Sequence, residues 1–561
     1  MNRIVAGASW FARLAQASFV GIFALICAAS GLVTMPPLDR DEARFAQATA
    51  QMLESGDFIN IRFQEAERNK KPAGVYWLQA ASVHAVSTVE SREIWAYRLP
   101  SVIAAVIAAL CTYLAGARLY NPTVGFYAGL LLAAAPVVAA EGAIAKTDAS
   151  LLACVAAAQA AFVFIHAGHR SGEAKGVLWP GLFWIAIAAG ILIKGPIILM
   201  VCGFTAAALF IRERSVKWLS HFRPLMGAVI LAITVGPWAL AIHNATEGRF
   251  FIDAVGGDMV AKIGAAQESH GGPPGYYLVL IWALFWPAAA LILPGLRQAI
   301  ATRKAWPSFF LLAWLIPSWL VFELTATKLP HYTLPLYPAL AIMAARTVEH
   351  GSAIRWGITR KLGASAFTVI GAVIALAIIL LQREYSSASV HAGVIIAALA
   401  IAAASIVAGV LLWRGAVRIG TTTAIITSAA LAFTLLNFIL PGLDRLMLSP
   451  RVNEIVMASR LHAIHNAAAP SVVAGYYEPS AVFLLGTKTV LTNGAGAARE
   501  LAATPGRAVI VERREEAAFL SSLESMNLAA HVVGQVDGLN YSNGDDTALT
   551  VYTLAADMTR E

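Results

Sequence analysis

Long apolar segments are the feature that most constrains how this chain can fold. A helix needs about 20 apolar residues to cross the roughly 30 Å of hydrocarbon in a bilayer. Thirteen segments approach this length, at 15–35, 93–117, 123–140, 149–168, 177–193, 196–211, 224–242, 276–294, 306–325, 331–346, 363–381, 390–412 and 420–440. Hydrophobic residues make up 58% of the chain and charged residues only 13%. This composition predicts a multi-pass membrane protein and excludes a soluble domain.

The charges of the connecting loops predict an orientation. With the N-terminus in the cytoplasm, the loops on that side carry eighteen basic residues against three acidic ones. The opposite side, up to residue 440, carries fourteen basic and seventeen acidic residues. An excess of lysine and arginine in short loops marks the cytoplasmic face, so the N-terminus is predicted to be cytoplasmic. Because thirteen is an odd number of spans, the C-terminal segment is then predicted to lie outside. The net charge of +8 is therefore a topology signal and does not indicate binding to nucleic acid.

The chain divides into two predicted domains. Residues 1–440 form a transmembrane domain with long exported loops at 36–92 and 243–275. Residues 441–561 alternate short strand and helix patterns, which predicts a small α/β domain on the outer surface.

The first apolar segment and the cysteines carry further information. The segment ends in Pro36-Pro37 without a clear small-residue cleavage site, so we expect a retained first span. All four cysteines lie inside predicted spans, at Cys27, Cys111, Cys154 and Cys202. We therefore expect neither a disulfide framework nor a cysteine metal site.

A dense charged cluster, Leu38-Asp39-Arg40-Asp41-Glu42-Ala43-Arg44-Phe45, follows the first span. Three carboxylates and two arginines are costly to hold at the edge of a bilayer, which makes the cluster a candidate functional site. The functional interpretation is a general base or electrostatic element facing a cavity near the outer leaflet. The alternative is a helix N-terminus with acidic residues in its first turn, which explains one acid better than three.

Basic residues recur at the outer ends of the spans, at Lys71, Lys146, Lys194 and Lys328. The positive-inside rule disfavours lysine on that side, so several at one level suggest a bound anion. The phosphate of a lipid-linked substrate is the natural anion at this depth. Taken alone, Lys71 would instead anchor an interfacial helix, with Tyr76 and Trp77 as its aromatic belt.

Other polar residues near the outer level add candidates. Asp148 opens the fourth span, either as a cavity carboxylate or as a cap for its helix. His331 and Tyr332 begin the tenth span between two prolines, and irregular helix there is tolerated only where it lines protein or water. The second long exported loop carries Asp253, Asp258, Lys262 and His270. A divalent ion between such groups is possible, although no metal-ligand spacing is visible.

Five motifs in chain order carry a resemblance to a known family. They are Asp-Glu-x-Arg at 41–44, Lys-Pro-x-x-x-Tyr-Trp-Leu at 71–78, Lys-Gly-Pro at 194–196, Pro-x-Tyr-Tyr at 274–277 and Lys-Leu-Pro-His-Tyr-x-Leu-Pro-x-Tyr-Pro at 328–338. Together they resemble the polyprenyl-phosphate-dependent glycosyltransferases of the GT-C superfamily. The chain is most similar to the bacterial branch of the protein mannosyltransferase family, which includes the aminoarabinose transferase of lipid A.

The resemblance implies a polytopic α-helical membrane protein of GT-C type, with about thirteen transmembrane helices and a small periplasmic α/β C-terminal domain. It implies an inverting enzyme of the inner membrane that takes a sugar from undecaprenyl phosphate on the periplasmic side. The acceptor would be lipid A or another envelope glycolipid. The expected partners are this donor, a lipid or glycan acceptor and membrane lipids, and a divalent metal is a possible cofactor.

The resemblance also assigns roles to residues. Asp41 and Asp148 are the predicted catalytic residues. The predicted donor-binding residues are Arg44, Lys71, Tyr76, Lys146, Lys194, Asp258, Lys328, His331 and Tyr332. One position departs from the family pattern, because lipid A transferases commonly carry glutamate immediately before the Lys-Pro lysine and this chain carries Lys70. The departure weakens the expectation of a metal and of aminoarabinose.

Other functions remain open at this stage. A flippase or transporter for lipid-linked sugars would favour repeated halves with matching broken helices, and the sequence shows no such symmetry. A protein O-glycosyltransferase and a non-catalytic or polymerase-type assembly protein are further alternatives. The sequence does not identify the sugar or the acceptor.

Overall fold

The computed structural model describes residues 2–173, 176–254, 271–350, 357–387 and 391–554. Within them, eight helices are long and apolar enough to cross a membrane: Trp10–Ala28, Ile94–Leu119, Thr147–Ser171, Pro224–Ala245, Trp306–Leu324, Gly357–Tyr385, Ala392–Arg414 and Val417–Ile439. A bent pair, Pro122–Ala133 and Pro136–Gly142, meets at 63° and could form a ninth crossing.

The helices in chain order, up to the last of these spans, are α1 (Asn2–Ala28), α2 (Asp41–Ser55), α3 (Gly74–Val86), α4 (Ile94–Leu119), α5 (Pro122–Ala133), α6 (Pro136–Gly142), α7 (Thr147–Ser171), α8 (Leu178–Lys194), α9 (Ile197–Glu213), α10 (Pro224–Thr234), α11 (Gly236–Ala245), α12 (Arg249–Phe251), α13 (Tyr276–Leu284), α14 (Trp286–Ala301), α15 (Trp306–Leu324), α16 (Tyr337–His350), α17 (Gly357–Tyr385), α18 (Ala392–Arg414) and α19 (Val417–Thr434). Each of the thirteen predicted segments overlaps at least one of them. The polytopic helical architecture is confirmed, whereas the number of crossings stays a prediction.

Small residues allow the helices of the membrane domain to approach closely. Gly125 on α5 is the clearest case, because a Cβ atom there would lie 2.4 Å from the carbonyl oxygen of Tyr113 on α4. The backbones of α4 and α5 are therefore in direct contact, as alanine- and glycine-rich membrane helices allow.

The segment between α1 and α4 packs against the helix bundle through α3, which contacts α4 and α8. It consists of α2, a short antiparallel hairpin of β1 (Arg62–Phe63) and β2 (Ala66–Glu67), and α3. Phe45 on α2 packs against Tyr76 on α3 with ring centroids 5.2 Å apart. This packing fixes the start of α2 relative to α3.

The C-terminal segment contains the predicted small α/β domain. Its elements are α20 (Leu448–Ala458), β3 (Val472–Ala474), α21 (Pro479–Leu485), β4 (Val490–Thr492), α22 (Gly494–Ala503), β5 (Val509–Glu512), α23 (Arg513–Ser525), β6 (Ala530–Asn540) and β7 (Asp545–Leu554). The strand order is β4-β3-β5-β7-β6, with β4, β3 and β5 parallel and β7 antiparallel to both neighbours. The fold class is confirmed, and the exact boundary at residue 441 stays a prediction.

Candidate functional site

Two adjoining cavities lie where α2 meets the ends of α7 and α8. The polar cavity has a volume of about 330 Å³ and is lined by charged side chains of several segments. Those side chains are Asp39, Arg40, Asp41, Glu42, Arg44, Arg68, Lys70, Lys71, Lys146, Asp148, Lys194 and His331.

The apolar cavity is larger, about 600 Å³. Most of its lining is aliphatic or aromatic, including Leu151, Ile191, Leu199, Met200, Trp238, Phe250, Phe251, Val321 and Phe322. The residues that line both cavities are Lys70, Lys71, Asp148, Lys194 and Tyr332. An elongated ligand with an apolar tail and an anionic head could therefore occupy both cavities with its charge at their junction.

A buried network of charges lies at this junction. The carboxylate of Asp148 accepts a hydrogen bond from the Lys194 ammonium and lies 3.8 Å from Nζ of Lys146. Lys146 Nζ is 3.0 Å from Oε1 of Glu141. His331 lies between the two acids, with Nδ1 3.5 Å from Glu141 and Nε2 3.6 Å from Asp148. Glu141 and Asp148 are each only 5% exposed, so burial disfavours the negative charge of their carboxylates. The nearby cations offset this cost.

Local sequence explains the central pair of this network. Asp148 lies in the first turn of α7 and Lys194 is the last residue of α8. The helix dipole favours an acid at the first position and a cation at the second. Gly195 ends α8 with φ of 70°, a conformation that glycine adopts without steric cost. The chain therefore turns sharply into α9 and leaves Lys194 at the cavity.

The structure separates the three acids of the Asp39–Glu42 cluster. Asp41 is the first residue of α2 and its side chain is exposed in the polar cavity, with Arg44 lining the same cavity. The Glu42 carboxylate instead forms a buried bidentate salt bridge with Arg98, at 2.8 Å for each nitrogen–oxygen pair. Glu42 is therefore a structural residue.

Asp39 contacts the C-terminal domain. One of its carboxylate oxygens accepts a hydrogen bond from the backbone N–H of Ser480 at 3.2 Å, at the start of α21. Burial raises the pKa of Asp39 from 3.8 to about 7, and the nearby Glu478 adds to the rise, while Ser480 and Arg44 oppose it. The acid nearest the C-terminal domain is thus partly protonated near neutral pH.

The remaining predicted site residues take different positions. Lys71 and Tyr332 line both cavities, and the Lys194 ammonium lies 5.4 Å from the centre of the Tyr332 ring. Tyr76 is fully buried and does not line either cavity. Lys328 is also buried, and its ammonium donates to the carbonyl oxygen of Thr325 at 2.6 Å. Asp258 lies outside the described residues.

Sequence reasoning missed two charged neighbours of the predicted residues, Glu141 and Arg98. Glu141 was counted only as a loop acid, although an acid five residues before Lys146 in an alanine-rich stretch was a usable signal. Arg98 lies inside a predicted span, 56 residues from its partner Glu42. An arginine in such a segment indicates a buried partner, but the sequence does not say which one.

No group of three or more histidine, cysteine, aspartate or glutamate side chains suited to a metal ion is found among the described residues. Lysines already lie against the two buried carboxylates of the network. The predicted metal alternative involved the carboxylates of Asp253 and Asp258 and the imidazole of His270. Asp253 is described and accepts a hydrogen bond from the Asn69 side chain at 3.4 Å, whereas Asp258 and His270 lie outside the described ranges. It therefore stays a prediction.

Comparisons with known proteins agree with the resemblance found in the sequence. A family model described as dolichyl-phosphate-mannose-protein mannosyltransferase matches residues 70–240. An undecaprenyl phosphate-alpha-4-amino-4-deoxy-L-arabinose arabinosyl transferase 2 of Pseudomonas fluorescens is 28% identical over 367 residues, which cover 64% of this chain and 61% of the relative. A transferase of the same name from Pseudomonas aeruginosa is 29% identical, with 57% of this chain and 58% of the relative covered. The chain thus matches about three fifths of the length of these relatives.

The fold is also that of a solved structure. ArnT from Cupriavidus metallidurans bound to undecaprenyl phosphate superposes with a TM-score of 0.72 at 18% sequence identity, covering 95% of this chain and 98% of ArnT. The apo structure of the same protein gives a TM-score of 0.70. The chain therefore has the ArnT fold. It resembles the GT-C polyprenyl-phosphate glycosyltransferases, and among them the lipid A aminoarabinose transferases.

Proposed function

We propose that this protein is an inverting glycosyltransferase that moves a sugar from undecaprenyl phosphate to an envelope acceptor. The observation that carries the proposal is the junction of an apolar and a polar cavity at a set of lysines. The ArnT structure, whose ligand is undecaprenyl phosphate, and the names of the sequence relatives support the same donor class.

The donor fits the two cavities in one orientation. The polyprenyl chain occupies the apolar cavity beside Trp238 and Phe250, and the sugar extends into the polar cavity. The phosphate then lies at the junction, near Lys71 and Lys194. Cleavage of the sugar–phosphate bond leaves the bonding electrons on the phosphate, whose charge grows as the lipid phosphate departs. Fixed ammonium groups stabilise this growing charge in the transition state.

The acceptor reaches the sugar from the polar cavity. Its oxygen attacks the anomeric carbon on the face opposite the departing phosphate, so one carbon–oxygen bond forms as the other breaks and the centre is inverted. A hydroxyl acceptor must lose its proton, and the exposed carboxylate of Asp41 is the group suited to receive it. A phosphate acceptor has no proton to lose, and Asp41 would then stabilise the positive charge that develops on the sugar.

The loop charges and the sequence relatives support a location and an orientation in the membrane. We infer that the protein resides in the bacterial inner membrane, with its N-terminus in the cytoplasm and the site and C-terminal domain in the periplasm. Lipid A or another envelope glycolipid is the preferred acceptor, on the resemblance of the sequence motifs to those of the lipid A aminoarabinose transferases. Lys70 makes the cavity more cationic than a glutamate would. Because this departure from the family pattern weakens the expectation of aminoarabinose, the proposal does not specify the sugar.

The lysines at the junction of the two cavities also affect whether the reaction needs a divalent metal. They supply at the phosphate the positive charge that a divalent ion would otherwise supply. Turnover measured with and without EDTA tests whether a metal contributes.

Transfer of a labelled sugar from a polyprenyl-phosphate donor by the purified protein in lipid nanodiscs tests the proposed function. Asp41→Asn should abolish most of the turnover, whereas Asp537→Asn, at an exposed position on β6, should not change it. Movement of the lipid across the bilayer without sugar transfer would instead establish the transporter alternative. Masses of envelope lipids from wild-type and deletion strains identify the sugar and its acceptor.

A further inference from the structure

The segment that carries Asp41 is held by the C-terminal domain. The contact is made by the turn between β6 and β7, residues 540–544, here called the 540–544 turn. The hydroxyl oxygen of Tyr541 accepts a hydrogen bond from the backbone N–H of Asp39 at 2.6 Å. The guanidinium of Arg40 donates to the carbonyl oxygen of Ser542. Both residues immediately before Asp41 are thus bonded to the same turn.

The backbone at Arg40 shows why such a contact matters. Its φ of 63° and ψ of −110° lie in a region that favours glycine. A residue other than glycine persists there only where its surroundings hold it. Arg40 immediately precedes α2, so its backbone angles set the direction in which the helix starts and where the Asp41 carboxylate points.

The 540–544 turn is itself rigidly built. The Glu478 carboxylate accepts hydrogen bonds from the side chain of Asn540 at 2.9 Å and from the hydroxyl of Ser542 at 3.0 Å. The Asn540 side chain in turn accepts from the backbone N–H of Ser542 at 2.9 Å. Because Glu478 immediately precedes α21, these hydrogen bonds fasten the turn to the start of that helix.

A second set of contacts joins the C-terminal domain to α2 and α4. The side chain of Gln47 on α2 donates to the hydroxyl of Thr487 at 2.8 Å. The rings of Tyr97 and Phe483 meet edge to face with centroids 5.3 Å apart. The C-terminal domain therefore contacts the residues at the start of α2 and contacts α2 again about two turns later, at Gln47.

We propose that the 540–544 turn, through Tyr541 and Ser542, is a positioning element that fixes Asp39 and Arg40 and thereby aims Asp41 into the polar cavity. The activity readouts of this proposal rest on the proposed function, whereas the structural readout does not. Tyr541 is a positioning residue, since it contacts the segment and not the cavity.

The test is Tyr541→Phe in the full-length protein, with Tyr477→Phe as the matched control. Tyr477 belongs to the same domain and is 55% exposed, and its hydroxyl donates to the carbonyl oxygen of Thr492 in that domain at 2.9 Å. Tyr541→Phe should lower kcat about tenfold and change the KM for the donor less than about twofold, because a misplaced catalytic group slows the chemical step. The control should keep the wild-type kcat. An unchanged kcat in Tyr541→Phe would overturn the proposal.

A double variant separates positioning from a general loss of structure. If Tyr541 acts through Asp41, then adding Tyr541→Phe to Asp41→Asn should leave the residual rate unchanged, because the group to be positioned is already gone. A further drop of the same factor as in the single variant would show that Tyr541 acts independently of Asp41, which contradicts the proposal.

Hydrogen–deuterium exchange provides the readout that does not need turnover. The peptide covering residues 38–45 should exchange faster in Tyr541→Phe than in wild type or in Tyr477→Phe. If wild-type protein shows no sugar transfer but this peptide exchanges faster, the proposed function fails and the positioning contact stands. If exchange is unchanged in all three proteins, the positioning proposal fails whatever the activity.

Discussion

The buried pair of Glu42 and Arg98 gives a sharp test of how the acidic cluster is held. The exposed fractions of their side chains are 1% and 0%. The Glu42 carboxylate accepts four hydrogen bonds, two from Arg98 and one each from the backbone N–H groups of Leu38 and Ala145. Truncation to alanine leaves the guanidinium uncompensated in the interior, which typically costs about 3–5 kcal/mol. Because all four hydrogen bonds are lost together, we expect Glu42→Ala to lower the free energy of unfolding by about 4–5 kcal/mol.

Unfolding by SDS in mixed micelles, monitored by circular dichroism, measures this loss in the free energy of unfolding. Glu173→Ala is the control, since Glu173 pairs with Arg118 but is 61% exposed, and such a pair contributes about 0–1 kcal/mol. The double variant Glu42→Ala/Arg98→Met removes both charges, so its loss should be well below the sum of the two single losses. Equal losses for Glu42→Ala and Glu173→Ala, or additive losses in the double variant, would refute the account of a buried, mutually dependent pair.

Three further predictions concern other parts of the molecule. Lys194→Met should lower kcat about 100-fold or more, because it removes a cation from the departing phosphate; steady-state transfer assays check this, with the exposed Lys488→Met unchanged. Because the pKa of Asp39 is raised from 3.8 to about 7, the folded state binds more protons than the unfolded state in this window. Stability should therefore fall as pH rises from about 4 to 7 and then level off, and Asp39→Asn should flatten the profile in thermal unfolding between pH 4 and 8. Gly125→Ala should destabilise the protein by about 1–3 kcal/mol through overpacking, whereas Gly181→Ala, where a Cβ meets nothing within 4 Å, should not; SDS titration of both variants decides this.

The sequence predicted the class of the fold because the signals for it are local. Apolar length and short alternating strands identified the membrane helices and the C-terminal sheet without knowledge of remote contacts. Short strands were expected within residues 441–561, and the structure has them, for example at Val490–Thr492 and Val509–Glu512. The number of membrane crossings was harder, because short helices such as Leu178–Lys194 look alike whether or not they span the bilayer.

The roles of neighbouring charges could not be predicted in the same way. Asp41 and Glu42 are adjacent, but successive residues of a helix point about 100° apart. The Asp41 side chain is therefore exposed in the cavity, whereas the Glu42 carboxylate is buried in the cavity wall against Arg98. Lys328 was placed with Lys71 and Lys194 by its level in the membrane, yet its ammonium bonds to a local carbonyl. Which way a side chain points is decided by partners far away in the chain, and a single sequence does not reveal them.

The shared lining of the two cavities has a consequence for engineering the protein. In the proposed orientation of the donor, any change at Lys71, Lys194 or Tyr332 alters the surroundings of the lipid tail and of the sugar at once, so selectivity for either cannot be tuned there separately. Variants meant to accept a shorter or longer isoprenoid should be made far from the junction, at Met200 or Phe251. Libraries that seek a new sugar should start at Arg44, on the polar side only.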